Sequence, residues 1–585
     1  MCGIAGFMTN DQSLPSMDIL NLIDESLIHR GPDGNGNFVE KNLGLVHRRL
    51  AIIDIVSGNQ PLGIQSDFVL VANAEIYNFK EVREELLDYK YLTSSDCEVI
   101  LPLYQKYGVN FVKYLRGMFA LALYDKNKEH LLLARDPFGI KPLYYAYTSK
   151  GFIFSSEIKP LISSGLVKEE LNIEKRDEFL QLQFSTGRDT LIKGIKRVLP
   201  GEVIIVNEGK VIDRFRNQAL PNRSNKRFNE TTAIDTLEKA LKESLSIHLR
   251  SDVPVGLFFS GGVDSTSILS LMTSINNKPP LTYTAGFENT GFDEREQASK
   301  IANFFGAHNI SIEITRDIFF NRLPEIVAAM DDPAADYAIV PSFLLAERAS
   351  KDLKVVISGE GGDELFAGYG RYRSLLRPKL LGGRDPRLRG VFDGLGILRD
   401  NVAGWRDGII ASNIKENVDF RSKLQVAQAV DCAEWLPNDL LIKVDRCLMY
   451  HSLEGRTPFL DLEVAKEVFN FSDSLKINRG VGKYVLKKWL YNKVPVSNAF
   501  SKKKGFTVPV AEWIFSHGHR LGELVANQPG IKEFTVSSSV EALFSQSGKR
   551  KGFAAWVLLF YALWHQHHLM GKKSEGSVFD VLTSS

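Results

Sequence analysis

Up to about residue 212 the apolar runs along the chain are short and separated by turn residues, the signature of strands. Residues 68–72 form one such run. Residues 119–124 and 131–135 form two more, joined by a polar turn over 125–129, and read as a hairpin. Helical patterns are fewer here, so the first unit is expected to be α+β, a sandwich of mostly antiparallel sheets with helices. Residues 217–226 (NQALPNRSNK) are polar, broken by Pro221, and follow neither period. They sit in an expected linker, 213–229, between a domain of residues 2–212 and one of residues 230–585. Beyond it the period lengthens, with Ile234, Leu237, Leu241 and Leu245 making a helical stripe. A strand at 256–259, a glycine-rich loop and a helix at 266–275 follow. Strands at 281–287, 310–314 and 355–357 then alternate with helices, which predicts an α/β domain with a parallel sheet. From about residue 372 the chain reads as mainly helical, the C-terminal part of that domain.

The chain has 585 residues, enough for several folding units, and is 44% hydrophobic and 24% charged, as ordinary globular proteins are. Its 72 basic and 70 acidic residues leave a net charge of +2, which argues against a polyanion or a membrane surface as partner. The longest nearly unbroken apolar stretch, residues 553–564, is shorter than the roughly 20 residues that span a bilayer. No charged segment followed by an apolar core and a cleavage site opens the chain. Cys2, Cys97, Cys432 and Cys447 are scattered without CxxC spacing. These features predict a cytoplasmic protein with small-molecule ligands and with no nucleic-acid or membrane partner.

The sharpest chemical signal is Ser260-Gly261-Gly262-Val263-Asp264-Ser265, between the strand at 256–259 and its helix. Two glycines let the backbone come close to an anion, and the amides at the helix start point at it. Ser260 and Ser265 add hydroxyl donors, whereas Asp264 repels phosphate unless a divalent cation lies between them. The loop therefore suits a magnesium–pyrophosphate group. It is no Walker loop, because no Lys-Ser/Thr pair follows the glycines. It resembles the PP-loop of enzymes that split ATP between the α and β phosphates and leave AMP on a carboxylate. A second loop, Ser358-Gly359-Glu360-Gly361-Gly362-Asp363-Glu364, follows the strand at 355–357. Ligands collect beyond the carboxyl ends of parallel strands, so Asp264 and Asp363 are placed to share a metal ion.

Cys2 becomes the first residue once Met1 is removed. Its thiol then lies beside an α-amine with a pKa of about 7.7–8.0, which can serve as its base. The segments Cys2-Gly3-Ile4-Ala5-Gly6, His29-Arg30-Gly31-Pro32-Asp33, Arg48-Arg49-Leu50-Ala51-Ile52-Ile53-Asp54, Asn73-Ala74-Glu75-Ile76-Tyr77-Asn78 and Ser95-Asp96-Cys97-Glu98 occur in that order. Together they resemble the class II glutamine amidotransferase domain. With the SGGVDS loop downstream, the whole chain resembles a glutamine-dependent asparagine synthetase. The likeness continues through LLIKVDR at 440–446, HSLEGRTPFLD at 451–461, Gly482-Lys483 and Lys504-Gly505-Phe506.

The resemblance implies that Cys2 attacks the glutamine side-chain amide and releases ammonia. Arg49 would hold the glutamine carboxylate and Asp96 its α-amino group, with Leu50, Ile52, Ile53 and Glu75 completing the site. The Asn73 amide and the Ala74 N–H would form the oxyanion hole. In the second half Phe258, Ala285, Ser358 and Gly359 would hold AMP. Ser260, Gly261, Gly262, Asp264 and Ser265 would hold the pyrophosphate, with Mg2+ on Asp264 and Asp363. Glu360 would be the base for the attacking ammonia, and Lys483 would neutralise the phosphates or the tetrahedral intermediate. ATP is then a substrate beside glutamine and aspartate or another carboxylate. Ammonia would cross between the sites through an internal channel lined by apolar residues, and members of the family often form a homodimer.

Two departures from the family pattern stand out. Ala74 replaces the usual glycine. If the backbone there is left-handed, alanine costs about 1–2 kcal/mol, and its methyl would crowd the substrate, which together predict a weakened or altered glutaminase rather than a dead one. Gly455 replaces a side chain in Ser452-Leu453-Glu454-Gly455-Arg456 and would widen a pocket or loosen a turn. Residues 371–390 carry seven basic side chains (Arg371, Arg373, Arg377, Lys379, Arg384, Arg387 and Arg389) and one acid, Asp385. Such a run is usually a solvated face, but here it also leaves open another acceptor, such as a sugar acid of a surface polysaccharide. The contrasting class, a degenerate regulatory relative, is opposed by the intact Cys2, SGGVDS loop and Glu360.

Overall fold

The computed structural model of the chain describes residues 2–222, 228–288, 294–400, 402–501 and 508–584. Lys504, Gly505 and Phe506, and residues 223–227 of the expected linker, lie outside the described residues. The first half is built from β1 (Gly3–Thr9), β2 (Gly34–Glu40), β3 (Leu43–Arg49), β4 (Phe68–Ile76), β5 (Gly117–Asp125), β6 (His130–Arg135), β7 (Tyr144–Thr148), β8 (Gly151–Ser155), β9 (Ile195–Arg197), β10 (Glu202–Asn207) and β11 (Lys210–Arg216). One sheet runs β2-β3-β1-β8-β7-β9 and the other β11-β10-β6-β5-β4, with antiparallel pairing throughout.

Alternate residues of each strand turn inward. Ile4 and Met8 of β1, Val69 and Val71 of β4, Ala120, Ala122 and Tyr124 of β5, and Phe152 and Phe154 of β8 pack between the two sheets. Helices Met17–Glu25, Ile158–Ser163 and Ile173–Leu182 cover one outer face, and Phe79–Glu85 and Ile100–Tyr107 cover the other. The run at 68–72 continues as strand to Ile76, because Ala74 and Ile76 keep up the apolar alternation of Leu70 and Ala72 on the outer face. Asn73 and Glu75 are thereby turned to the opposite face. At the far end β11 runs on to Arg216, beyond the boundary expected at 212.

After the helix Glu230–His248, capped by Asn229, come β12 (Val255–Phe258), β13 (Thr282–Phe287), β14 (Asn309–Ile314), β15 (Val355–Ile357) and β16 (Glu454–Arg456). They form a wholly parallel sheet in the order β14-β13-β12-β15-β16. The strand order reverses between β12 and β15, the switch point where such sheets open a crevice for ligands. The sequence pattern does not predict β16, which has 3 residues and is too short to carry a period. The remainder is helical. Residues 553–564 fall in the helix Lys549–His568 and are buried from Ala554 to Trp564, so this apolar stretch is core. No helix among the described residues is long and apolar enough to cross a membrane.

Candidate active site

Cys2, just ahead of β1, is buried, and its N donates to Asn73 Oδ1 at 3.0 Å. This contact orients the Asn73 amide, whose buried Nδ2 meets no acceptor among the described residues. A second donor follows from the place of β4 at the edge of its sheet, where every other N–H points away from β5. Along that edge Leu70 N donates to Leu62 O, Ala72 N to Gln60 Oε1 at 2.6 Å, and Ile76 N to Asp96 Oδ2 at 2.7 Å. Ala74 N–H belongs to the same row, since its partner Phe119 turns its own N–H and C=O to Asp136. No acceptor meets it among the described residues. Two unmet donors therefore stand together on the strand that holds Cys2.

The structure corrects the expectation for Ala74. Its backbone is extended strand, with no left-handed φ to strain an alanine. Its methyl packs with Leu70, Ala72 and Ile76, on the face away from Asn73. Neither strain nor crowding arises.

Burial raises the Cys2 thiol above its ordinary range, opposed by a backbone hydrogen bond from Leu50 and by the charge of Arg49. Arg49 ends β3 and is buried. It donates to the carbonyls of Ile53, Asp54 and Ile55 and to Asn59 Oδ1 at 2.9 Å, so it is a cation fixed by its loop, not a surface ion pair. Leu50 and Ile52 are buried and Ile53 partly so. Asp96 is buried too, and loss of water lifts its carboxyl to about 6, with the Ile76 N–H and Arg456 opposing. An acid in this state suits an ammonium ligand. Glu75 Oε2 accepts from Arg456 Nη2 at 2.8 Å, a contact from one half of the chain to the other.

Several charged groups at this junction have no role in the sequence reading. Arg30 is fully buried. Its Nε donates to Cys2 O at 3.2 Å, its Nη1 to Glu157 Oε1 and Asp445 Oδ2, both at 2.7 Å, and its Nη2 to Asp445 Oδ1 at 3.1 Å. Arg446 donates to Asp445 Oδ2 at 3.0 Å and to Asp331 Oδ1 at 2.6 Å. Lys443, Asp445 and Arg446 all lie on the helix Leu441–Met449 and are buried. The signal for them is charge inside an otherwise apolar LLIKVDRCLM, because buried charges occur paired.

At the carboxyl ends of β12 and β15 the two glycine-rich loops touch. A Cβ on Gly359 would lie 2.9 Å from Asp264 Cβ. Gly261 has φ +70°, which an L side chain rarely adopts, and turns the chain so that Ser260 Oγ and Ser265 Oγ come within 3.3 Å. Helix Val263–Asn276 starts there, with Asp264 and Ser265 in its first turn. Phe258 ends β12 and Ala285 lies in β13. Ser358 Oγ is buried and unmet among the described residues, and Ser358 N donates to Arg456 O at 2.9 Å.

Lys483 Nζ joins the two expected metal ligands, reaching Asp264 Oδ2 at 2.5 Å and Asp363 Oδ1 at 2.8 Å. Burial opposes its charge, but Asp264 and Asp363 hold its pKa above the ordinary lysine value. Gly368 makes the approach possible, because a Cβ there would stand 1.8 Å from Asp363 Oδ1. Asp264 Oδ1 is buried with no hydrogen-bond partner among the described residues. No group of three His, Cys, Asp or Glu ligands occurs among them either. Two carboxylates from two loops fit a small hard cation whose remaining ligands are phosphate oxygens and water.

Glu360 is partly buried. Burial raises its carboxyl, with Asp336, Asp363 and Asp264 pushing the same way and Lys443 opposing. Lys443 Nζ reaches Asp336 Oδ2 at 2.8 Å. In the same charged neighbourhood Asp439 is fully buried, and neither of its oxygens has a hydrogen-bond partner among the described residues. Burial, then Asp336, drives its carboxyl well above the usual range against Lys443, Arg387 and Arg371. Asp439 stands in the π-helical stretch Asp431–Leu440, a geometry frequent at functional sites.

The basic run divides. Arg371 and Arg387 turn inward to Asp431, which also accepts from Tyr372, while Arg377, Lys379, Arg384 and Arg389 are exposed. Gly455 neither widens a pocket nor loosens a turn. It lies in β16, where a Cβ would meet Leu448 Cδ2 at 2.8 Å and Val444 Cγ1 at 3.3 Å.

Comparison with known proteins agrees with this division of labour. Residues 236–566 match the family model for asparagine synthase, and residues 1–216 match that for the glutamine amidotransferase domain. The chain is 32% identical to the glutamine-hydrolyzing asparagine synthetase 1 of Bacillus subtilis (strain 168), over 97% of this chain and 96% of that protein. It is 32% identical to a putative glutamine-hydrolyzing asparagine synthetase of Mycobacterium tuberculosis (strain ATCC 25618 / H37Rv), over 98% and 99%. It is 33% identical to the amidase chyE of Penicillium rubens over 64% of this chain and 60% of that protein.

Proposed function

This chain belongs to the family of glutamine-hydrolysing asparagine synthetases, and on that footing we propose that it converts aspartate to asparagine through an aspartyl-adenylate. It is an ATP-dependent carbon–nitrogen ligase with glutamine as amide donor. The observation that carries the choice of acceptor is Asp439. A buried carboxyl group with both oxygens unmet among the described residues ionises there only when a cation is brought to it. Aspartate brings an α-ammonium to it, and a sugar acid brings none.

In the first half the Cys2 sulfur bonds to the amide carbon of glutamine while the thiol proton passes to the Cys2 α-amine. Asn73 Nδ2 and Ala74 N–H receive the oxyanion. Collapse releases ammonia, and water frees glutamate from the thioester. Arg49 faces the glutamine carboxylate, and Asp96 and Glu75 its ammonium. In the second half an aspartate side-chain oxygen attacks the α-phosphorus of ATP. Pyrophosphate leaves toward Lys483 and the amides of the turn at Gly261 and Gly262. Magnesium, if held by Asp264 and Asp363, supplies further neutralisation of the phosphates. Ammonia then attacks the acyl carbon, Glu360 takes the proton shed by the new amide, and AMP departs.

The test is purified protein with ATP, Mg2+, glutamine and aspartate, following AMP, pyrophosphate, glutamate and asparagine together. Equal AMP and asparagine, lost in Cys2→Ala with glutamine and restored by ammonia, is the expected result. Asp439→Asn should raise the KM for aspartate roughly 10–100-fold, the worth of a hydrogen bond to a charged group. Glutamate release without aspartate-dependent AMP would sink the aspartate reading.

A further inference from the structure

One side chain on β16 stands between the two proposed sites. Strand alternation sets Glu454 and Arg456 on one face and Gly455 on the other, against Leu448 and Val444. Arg456 is fully buried and donates four hydrogen bonds. Its Nε reaches Glu454 Oε1 at 2.6 Å, its Nη2 reaches Glu75 Oε2 at 2.8 Å, and its Nη1 reaches His248 O and Arg250 O, both at 2.7 Å. Glu75 follows Ala74 on β4, so the fork grips the strand that presents the oxyanion donors. At its other end the carbonyl of Arg456 accepts from Ser358 N, the first amide of the acidic loop, and the Ser358 hydroxyl is unmet among the described residues. Its strand neighbour Glu454 also acts on the Cys2 thiol, where its negative charge pushes the pKa up. A single rigid residue thus touches a glutamine ligand with its guanidinium and a nucleotide ligand with its backbone.

We propose that Arg456 is a positioning residue that makes glutamine hydrolysis depend on an occupied adenylating site. The inference rests on the function proposed above. Nucleotide on Ser358 and Gly359 fixes the amide that bonds the Arg456 carbonyl. The planar guanidinium, held at four points, passes that placement to Glu75 and so to bound glutamine. Without nucleotide the Ser358 N–H still meets the Arg456 carbonyl at 2.9 Å, but the Ser358 hydroxyl beside it has no partner among the described residues to fix the loop.

The test measures glutamate release with and without ATP, Mg2+ and aspartate, in the unaltered protein and in Arg456→Lys. The expected result is a stimulation of about 5-fold or more in the unaltered protein, within the usual range of coupling between sites. In Arg456→Lys the ratio should fall to near one, since an ammonium cannot make four planar contacts, while ammonia-dependent AMP formation persists. A merely structural role would lower the unfolding temperature and both activities together and leave the ratio unchanged. No stimulation in the unaltered protein, or equal stimulation in the variant, overturns the proposal. If Arg456→Lys does not fold, Cys2→Ala answers the same question on binding alone: the proposed coupling acts through Glu75 on the affinity for glutamine, so by linkage uncleaved glutamine should tighten ATP binding by the same several-fold factor. Unchanged ATP affinity there overturns the proposal as well. A flat ratio with ammonia-dependent AMP formation intact strikes the coupling alone. Absence of that AMP formation in the unaltered protein strikes the proposed function and the coupling with it.

Discussion

Asn73→Ala removes two contacts that the structure separates on one amide. Its Oδ1 accepts from Cys2 N at 3.0 Å, an ordinary buried hydrogen bond worth about 0.5–1.5 kcal/mol. Its Nδ2 has no partner among the described residues and is assigned to the oxyanion, where a donor is worth about 2.7–4 kcal/mol. Together these come to about 3–5.5 kcal/mol, and at 1.36 kcal/mol per decade the glutaminase kcat should fall about 10²–10⁴-fold. Residual activity is expected because Ala74 N–H stays in place. The assay is steady-state glutamate release, with ammonia-dependent asparagine formation and thermal melting as controls that should barely move. Asn73→Asp sharpens the result, since it keeps an oxygen for Cys2 N and puts an acceptor where the donor stood. It should be about as slow as the alanine variant. A loss under tenfold in Asn73→Ala, or an unimpaired Asn73→Asp, would refute the assignment of Nδ2.

Three other outcomes follow from the geometry. Ala74→Gly should leave glutaminase turnover unchanged and lower stability by roughly 0.5–1 kcal/mol, the cost of glycine inside a strand, in a denaturant titration; a clear gain in turnover would mean that the methyl does reach the substrate. Lys483→Met leaves Asp264 and Asp363 facing each other without their shared cation, so ammonia-dependent AMP formation should drop roughly 100-fold or more while glutamate release without ATP persists. Full AMP formation in that variant would remove Lys483 from the chemistry. Asp96 sets a pH dependence. Its carboxyl titrates at about 6 in the folded chain against an ordinary 3.8, so the folded state takes up this proton first as pH falls. That group therefore adds stability as pH drops from about 6 toward 4, and over the same window the glutamine ammonium loses its partner. The kcat/KM for glutamine should decline up to about tenfold per pH unit below about 6, and a flat profile there would exclude Asp96.

The parts of the site that the sequence made legible are those where an apolar run ends in a chemical motif. β12 leads into Ser260–Ser265 and β15 into Ser358–Asp363, and both loops lie where a wound parallel sheet puts its ligands. Lys483 was recognisable only through the family likeness, and its role between two carboxylates depends on Gly368, far from any motif it belongs to. Ala74 posed a question about backbone conformation that only pairing with Phe119 answers. The ion pairs at the junction were not legible, because Arg30 and Asp445 are 415 positions apart and Glu75 and Arg456 are 381 apart. Asp439 escaped for another reason: a π-helical stretch shifts the facing of side chains away from the 3.6-residue period by which helices are read.

The arrival of β16 so late in the chain orders events on the ribosome. Glu75 emerges 381 residues before the arginine that pairs with it, an interval of about 20–75 s at a synthesis rate of roughly 5–20 residues per second. Through that interval Cys2, Asn73, Ala74 and Asp96 can all be in place, yet Glu75 lacks its ion-pair partner from the second half. On the roles proposed above, a growing chain should not cleave glutamine efficiently until the second half supplies Arg456. Ribosome-bound chains of increasing length should acquire glutaminase activity only after residue 456 has cleared the exit tunnel; activity in chains ending near Arg216 would show that the first half needs no such completion.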